Sequence, residues 1–152
     1  MIILETTFLM IKPDGVQRGL TGKVISRLEK KGLRIVAMKM LCIDEETASE
    51  HYAEHEGKDF YKPLIEYITS GPVITMALKG DSAISIVRKI VGETDPKEAQ
   101  PGTIRGDFGI EISRNIVHAA DSQKSAEREL DIFFDEEEYQ HYSRVEEQWI
   151  YE

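Results

Sequence analysis

The chain has 152 residues, with 41% hydrophobic residues, 31% charged residues and a formal net charge of -9. That length predicts a single domain over residues 1–152, and the composition excludes a disordered or membrane-spanning chain. An acidic chain of pI about 5.0 does not attract nucleic acid by its overall field, so any anion it binds must be held by a local basic cluster.

A lone cysteine, Cys42, rules out an internal disulfide, and its apolar neighbours predict a small core residue. The opening Met1-Ile2-Ile3-Leu4-Glu5 lacks a basic region and soon becomes charged. No apolar run approaches the roughly 20 residues that span a bilayer. A cytoplasmic protein with no membrane partner is expected.

In chain order, Thr6 to Ile11 is apolar and rich in strand formers, which predicts a central strand. Lys12 ends it and Pro13-Asp14-Gly15 breaks it with turn chemistry. Thr21 can cap a helix from Gly22 to Lys31 that keeps Val24, Ile25 and Leu28 on one face and stops at Gly32. Leu33 to Ile43 alternates as a long strand. Asp44 caps a helix running towards His51-Tyr52-Ala53-Glu54-His55, and Gly57 to Tyr61 is a loop. Pro63 starts a short helix, Ser70-Gly71-Pro72 turns, and Val73 to Leu78 is another strand. Asp81 begins a helix with Ala83, Ile86, Val87 and Ile90 inward, which Gly92 stops.

Glu93 to Asp107 has no periodicity and is punctuated by Pro96, Pro101, Gly102 and Gly106; an irregular stretch of this length points to function. Arg114 to His118 reads as a short buried strand that delivers an imidazole. Ala119 and Ala120 are too small to cover it, and a helix from Ser122 to Phe133 follows. The acidic Asp135 to Tyr142 is expected to be helical, and the aromatic tail Trp149-Ile150-Tyr151-Glu152 to pack. The order fits an α+β fold: a four-stranded antiparallel sheet of ferredoxin-like, split βαβ topology, with helices packed on one face. A doubly wound parallel sheet is the competing topology, but no glycine-rich phosphate loop supports it.

Phosphates must therefore be held by side chains. His118 suits a phosphoryl nucleophile, because an ordinary imidazole is largely neutral at pH 7 and keeps a lone pair. Glu129, about three helical turns on, can accept a hydrogen bond from the ring. Arg88 and Arg105 offer planar forks for phosphate, Thr94 a hydroxyl, and Phe60 a stacking face. Lys12, at a strand end, either points into the site or lies at a sheet edge.

Several segments in the right order carry a resemblance: Met10-Ile11-Lys12-Pro13-Asp14-Gly15-Val16, Ser70-Gly71-Pro72-Val73, Gly92-Glu93-Thr94-Asp95-Pro96, Pro101 to Phe108, Asn115 to Ser122 and Trp149 to Glu152. Together they resemble nucleoside diphosphate kinases over nearly the whole chain. The resemblance implies ping-pong transfer of the γ-phosphate from a nucleoside triphosphate such as ATP to a nucleoside diphosphate, through phosphorylated His118. It places His118, Glu129, Lys12 and Tyr52 in the catalytic set. It gives the sugar hydroxyls to Lys12 and Asn115, the base to Phe60 and Ile112, and the phosphates to Tyr52, Arg88, Thr94 and Arg105. His55 adds a further candidate phosphate contact. It also implies Mg2+ carried on the nucleotide, reached through water by Glu54 and Asp121 rather than ligated directly. A homohexamer is expected, with a homotetramer as the alternative. Ala120 departs from the pattern, which usually has Ser there. The rival classes are a nucleotide-binding regulatory module without a nucleophile and a structural protein with a core histidine.

Overall fold

The central strand, β1 (Leu4–Ile11), is buried from Thr7 onward in the computed structural model, which describes residues 2–152. Its side chains alternate between two cores. Phe8 and Met10 enter one; Leu9 and Ile11 enter the other. A strand buried on both faces reads as a continuous apolar run, which is how Phe8-Leu9-Met10-Ile11 appears.

β1 pairs antiparallel along its whole length with β3 (Val73–Asp81), from Leu4 opposite Asp81 to Ile11 opposite Ile74. On its other side it pairs with β4 (Val117–Ala119), so that Met10 faces His118. β2 (Arg34–Leu41) pairs with β3, with a bulge between Ile35 and Ala37, and the sheet order is β2-β3-β1-β4. This is the expected split βαβ sheet.

Helices cover both faces of this sheet rather than one, because both faces are apolar. Leu9, Ile11, Met76 and Leu78 meet Val24 and Leu28 of α2 (Thr21–Lys31) and Ala83, Val87 and Val91 of α5 (Ala83–Val91). Phe8 and Met10 meet Ala48 of α3 (Glu45–His51), Ile65 and Ile68 of α4 (Tyr61–Ile68), and Ala126, Leu130 and Phe133 of α7 (Gln123–Phe133). Two short helices complete the set: α1 (Pro13–Gln17) and α6 (Ile104–Phe108).

Several ends follow the expected local chemistry. Gly32 leaves α2 with φ of 112°, which a glycine adopts without steric cost. Asp44 caps α3 by accepting from the Thr47 amide, and Ser122 and Ser125 close a reciprocal box at the start of α7. Other expectations fail for local reasons. Pro13-Asp14-Gly15 opens α1, since proline suits a first helical position. Thr21 lies inside α2 and makes no capping bond. β3 continues to Asp81, and α5 begins after Ser82, which turns the chain with φ of 53°. The irregular stretch ends in α6, capped by Thr103.

β4 starts only at Val117; Ile112–Arg114 is a tight helical turn. The acidic segment forms a single such turn, Glu136–Glu138, whose last carboxylate is held by Lys39 at 3.1 Å; three adjacent like charges do not support more. Cys42 is exposed rather than buried. Trp149 is 84% exposed, and the tail is anchored instead by the Tyr151 hydroxyl, which accepts from the Asp81 amide.

Phe8 lies beneath the site. It stacks on Phe133 at 5.0 Å and lies 6.1 Å from the His118 ring. Truncating Phe8 to Ala is expected to destabilise the fold by about 3–5 kcal/mol, a cavity cost that a urea unfolding midpoint measures directly.

Candidate active site

Three residues, Asn115-Ile116-Val117, decide where the imidazole goes. Ile116 is buried and β-branched, yet holds φ of 76°. The Val117 amide donates to the Asn115 carbonyl at 2.8 Å, closing a three-residue turn of a strained kind. Such a conformation costs on the order of 1–3 kcal/mol and persists only where its surroundings over-determine it.

Here they do. The Lys12 amide donates to the Ile116 carbonyl at 2.8 Å, and the Ile116 amide donates to Asp14 Oδ2 at 3.0 Å. Arg105 donates from Nε to the Asn115 carbonyl at 3.2 Å and from Nη2 to the Val117 carbonyl at 2.6 Å. Its Nη1 reaches the Gly92 carbonyl at 3.1 Å, pinning the start of the irregular stretch. Gly15 is obligatory beneath the turn: a Cβ there would lie 2.7 Å from Ile11 Cγ2 and 3.0 Å from the Ile116 carbonyl oxygen.

The turn releases the chain into β4 with His118 at its middle. His118 Nε2 lies 2.6 Å from Glu129 Oε1, and the Glu129 side chain is buried in α7. Burial, then Lys12, Arg105 and Arg88, hold the His118 imidazole far below its ordinary range, so the ring is neutral at pH 7. Burial also raises the Glu129 carboxyl to about 7, against the pull of His51 and Arg128. In its ionised form this carboxylate accepts a hydrogen bond from Nε2–H, which leaves the ring's lone pair on Nδ1.

Basic residues stand near the His118 ring. Lys12 Nζ donates to Asn115 Oδ1 at 2.8 Å, and Asn115 Nδ2 donates to the Thr94 carbonyl at 3.0 Å. Burial and the nearby Arg105 lower the Lys12 ammonium to about 8, against the pull of Asp14. Arg88 donates to the Ala119 carbonyl at 3.0 Å, one residue beyond the histidine. Tyr52 is buried, and its hydroxyl has no hydrogen-bond partner among the described residues.

These groups line one open cavity of about 970 Å³, at the upper end of the range for small-molecule sites. Every residue expected from the sequence borders it: Lys12, Tyr52, Glu54, Phe60, Arg88, Thr94, Arg105, Ile112, Asn115, His118, Asp121 and Glu129, with His55 beside them. Phe60 and Ile112 stand half-exposed at its rim, and the His55 ring meets Phe60 edge-on at 5.2 Å.

Sequence reasoning missed two structural roles. Asp14 has the chemistry of a turn residue, but its tie to Ile116 spans 102 positions, which no local pattern reveals. Arg105 has the chemistry of a phosphate ligand, but its donors also build the turn.

A neutral imidazole oriented by a buried carboxylate, set among cations in a cleft of this size, is the equipment of a phosphotransferase acting on nucleotides. The nucleoside diphosphate kinase family model matches residues 5–139. A curated nucleoside diphosphate kinase of Archaeoglobus fulgidus is 59% identical over 149 residues, covering 98% of this chain and 99% of that one. One of Natronomonas pharaonis is 55% identical, covering 97% of each chain. The solved structure of a halophilic nucleoside diphosphate kinase from Halobacterium salinarum, in complex with CDP, superposes with a TM-score of 0.95 at 49% identity. That match covers 97% of this chain and 99% of the other. The chain belongs to the nucleoside diphosphate kinase family.

Replacing Arg105 with Met removes the charged donors from three backbone carbonyls while keeping a long apolar stem. The fold is expected to lose about 3 kcal/mol, read as a lowered Tm. An unchanged Tm would show that the turn holds itself without the guanidinium.

Proposed function

We propose that this enzyme, on a single domain spanning the chain, moves the γ-phosphate of a nucleoside triphosphate to a nucleoside diphosphate through a phosphohistidine on His118. The observation that carries this reading is the 2.6 Å bond from His118 Nε2 to the buried Glu129 carboxylate. It holds the aim of the ring, and with Glu129 ionised it favours the Nε2–H tautomer.

In the first half-reaction the Nδ1 lone pair attacks the γ-phosphorus. The N–P bond forms as the bond from phosphorus to the bridging oxygen breaks, and the diphosphate leaves with that electron pair. The proton stays on Nε2, so positive charge grows on the ring, and Glu129 offsets it. In the second half-reaction a terminal oxygen of another diphosphate attacks the phosphorus, and the N–P electron pair returns to Nδ1.

Lys12 and Asn115 are assigned to the sugar hydroxyls, and Tyr52, Arg88, Thr94 and Arg105 to the phosphates. The unpartnered Tyr52 hydroxyl supports its place in that set, since a buried hydroxyl costs free energy until something bonds it. Phe60 and Ile112 hold the base between apolar faces. Stacking of that kind tolerates any base, because every base has a π-face.

Mg2+ rides on the nucleotide in this reading. Among the described residues no three of His, Cys, Asp or Glu cluster to hold a metal. Glu54 and Asp121 are instead exposed carboxylates on the cavity wall, which suits an ion that keeps its waters and rests on phosphates. When bound, the ion neutralises phosphate charge. Self-association is proposed as a homohexamer, with a homotetramer as the alternative. β2 is an edge strand whose Ile35 and Val36 carbonyls are covered by Tyr142 and Gln140, and the exposed Met38 and Met40 beyond them support contact between copies; sedimentation analysis distinguishes the two states.

His118→Ala is expected to abolish the acid-labile phosphoenzyme and all exchange between ATP and a diphosphate; exchange at the wild-type rate would sink the mechanism. Glu129→Gln keeps the shape but weakens the oriented bond. Phosphoenzyme formation is then expected to slow by about 10- to 100-fold with folding nearly unchanged, as rapid mixing would record.

A further inference from the structure

His51 ends α3 and is only 3% exposed, yet neither of its ring nitrogens has a hydrogen-bond partner among the described residues. A neutral imidazole carries one donor and one acceptor, so both go unsatisfied. Buried polar groups are bonded as a rule, and an exception beside a reacting group asks for a reason. A phenyl ring would fill the same space with no polar atom to desolvate.

Its surroundings supply the reason. The His51 ring stands perpendicular to the His118 ring, at 83° with centroids 4.8 Å apart. It is held in turn by Phe133 at 5.5 Å and Tyr52 at 4.6 Å. Arg128, one residue before Glu129, donates to the His51 and Glu50 carbonyls at 3.2 Å and ties the end of α3 to α7. The same turn of α7 therefore anchors both neighbours of the His118 ring: Glu129 at its Nε2 and the backbone of His51.

We infer that His51 is a positioning residue for His118: its perpendicular ring blocks rotation of the nucleophile, and its dipole accommodates the positive charge that phosphorylation puts there. The inference rests on His118 being the nucleophile.

A second cation beside His118 would oppose that charge. Burial, then His118, Arg128 and Lys12, push the His51 imidazole down to about 3, against the pull of Glu129, so it stays uncharged. In an interior of low dielectric, an adjacent dipole or π-face interacts with a growing charge far more strongly than in water.

The test replaces His51 with Phe, which keeps a ring and removes the dipole, and with Leu, should the Phe variant not fold. Three quantities are measured on the full-length protein: phosphoenzyme formation by rapid mixing, nucleotide affinity, and the 15N resonances of His118. Formation is expected to slow by about tenfold with affinity unchanged. The Tm should hold or rise, and the His118 signals should keep the Nε2–H tautomer that Glu129 sets, so that the slowing occurs with the fold and the nucleophile intact. A merely structural His51 would lower the Tm and leave the rate of the folded variant alone. A folded variant with the wild-type rate overturns the inference while His118 stands. If the wild-type phosphoryl group maps to another residue, the nucleophile and the inference fall together.

Discussion

The site depends on a strained turn held from outside. Ile116 occupies a conformation that a β-branched residue avoids, and it stays there because Lys12, Asp14 and Arg105 bond the peptide groups on either side of it. Two of those three clamps, Lys12 and Arg105, are also the cations that face His118. The strain, the position of the nucleophile and the local field thus share one set of residues. Lys12 clamps through its main-chain amide and supplies charge through its side chain, whereas the Arg105 guanidinium does both.

That sharing explains how an acidic protein can handle polyphosphates. The net charge of -9 repels anions at long range, but Lys12, Arg88 and Arg105 converge within one cavity. Low-dielectric walls strengthen a local field, while solvent and salt screen the distant carboxylates. The same cations lower the basicity of His118, which keeps its lone pair available. A histidine in open solvent would be partly protonated near neutrality and lose its nucleophilic nitrogen to a proton.

The apolar runs of β1 and β3 and the helical repeats of α2 and α5 made the sheet and most helices legible. Gly32, Asp44 and Ser122 marked their helix ends by ordinary capping chemistry. The cavity was legible through motif resemblance more than through physics. Nothing in the spacing of Tyr52, Thr94 and Ile112 says that they meet. The positive-φ residues Ser82 and Ile116 were not legible, since neither type advertises that conformation, and the Ile116 amide and carbonyl are held by Asp14 and Lys12 from far along the chain. For the same reason Arg105 looked like a ligand alone. Cys42 misled because its neighbours are apolar, yet the alternation along β2 carries that position to the solvent side.

The clamp also bears on how the protein is made. Lys12 and Asp14 leave the ribosome early, and their partners at Asn115 and Ile116 follow 103 and 102 positions later. Until that distance is closed, the turn has nothing to hold it and the imidazole has no fixed place. An unfinished or half-folded chain therefore owns every ingredient of phosphoryl chemistry but no aimed nucleophile. Turnover after denaturation accordingly requires that closure, which helix content and the β1–β3 ladder do not report.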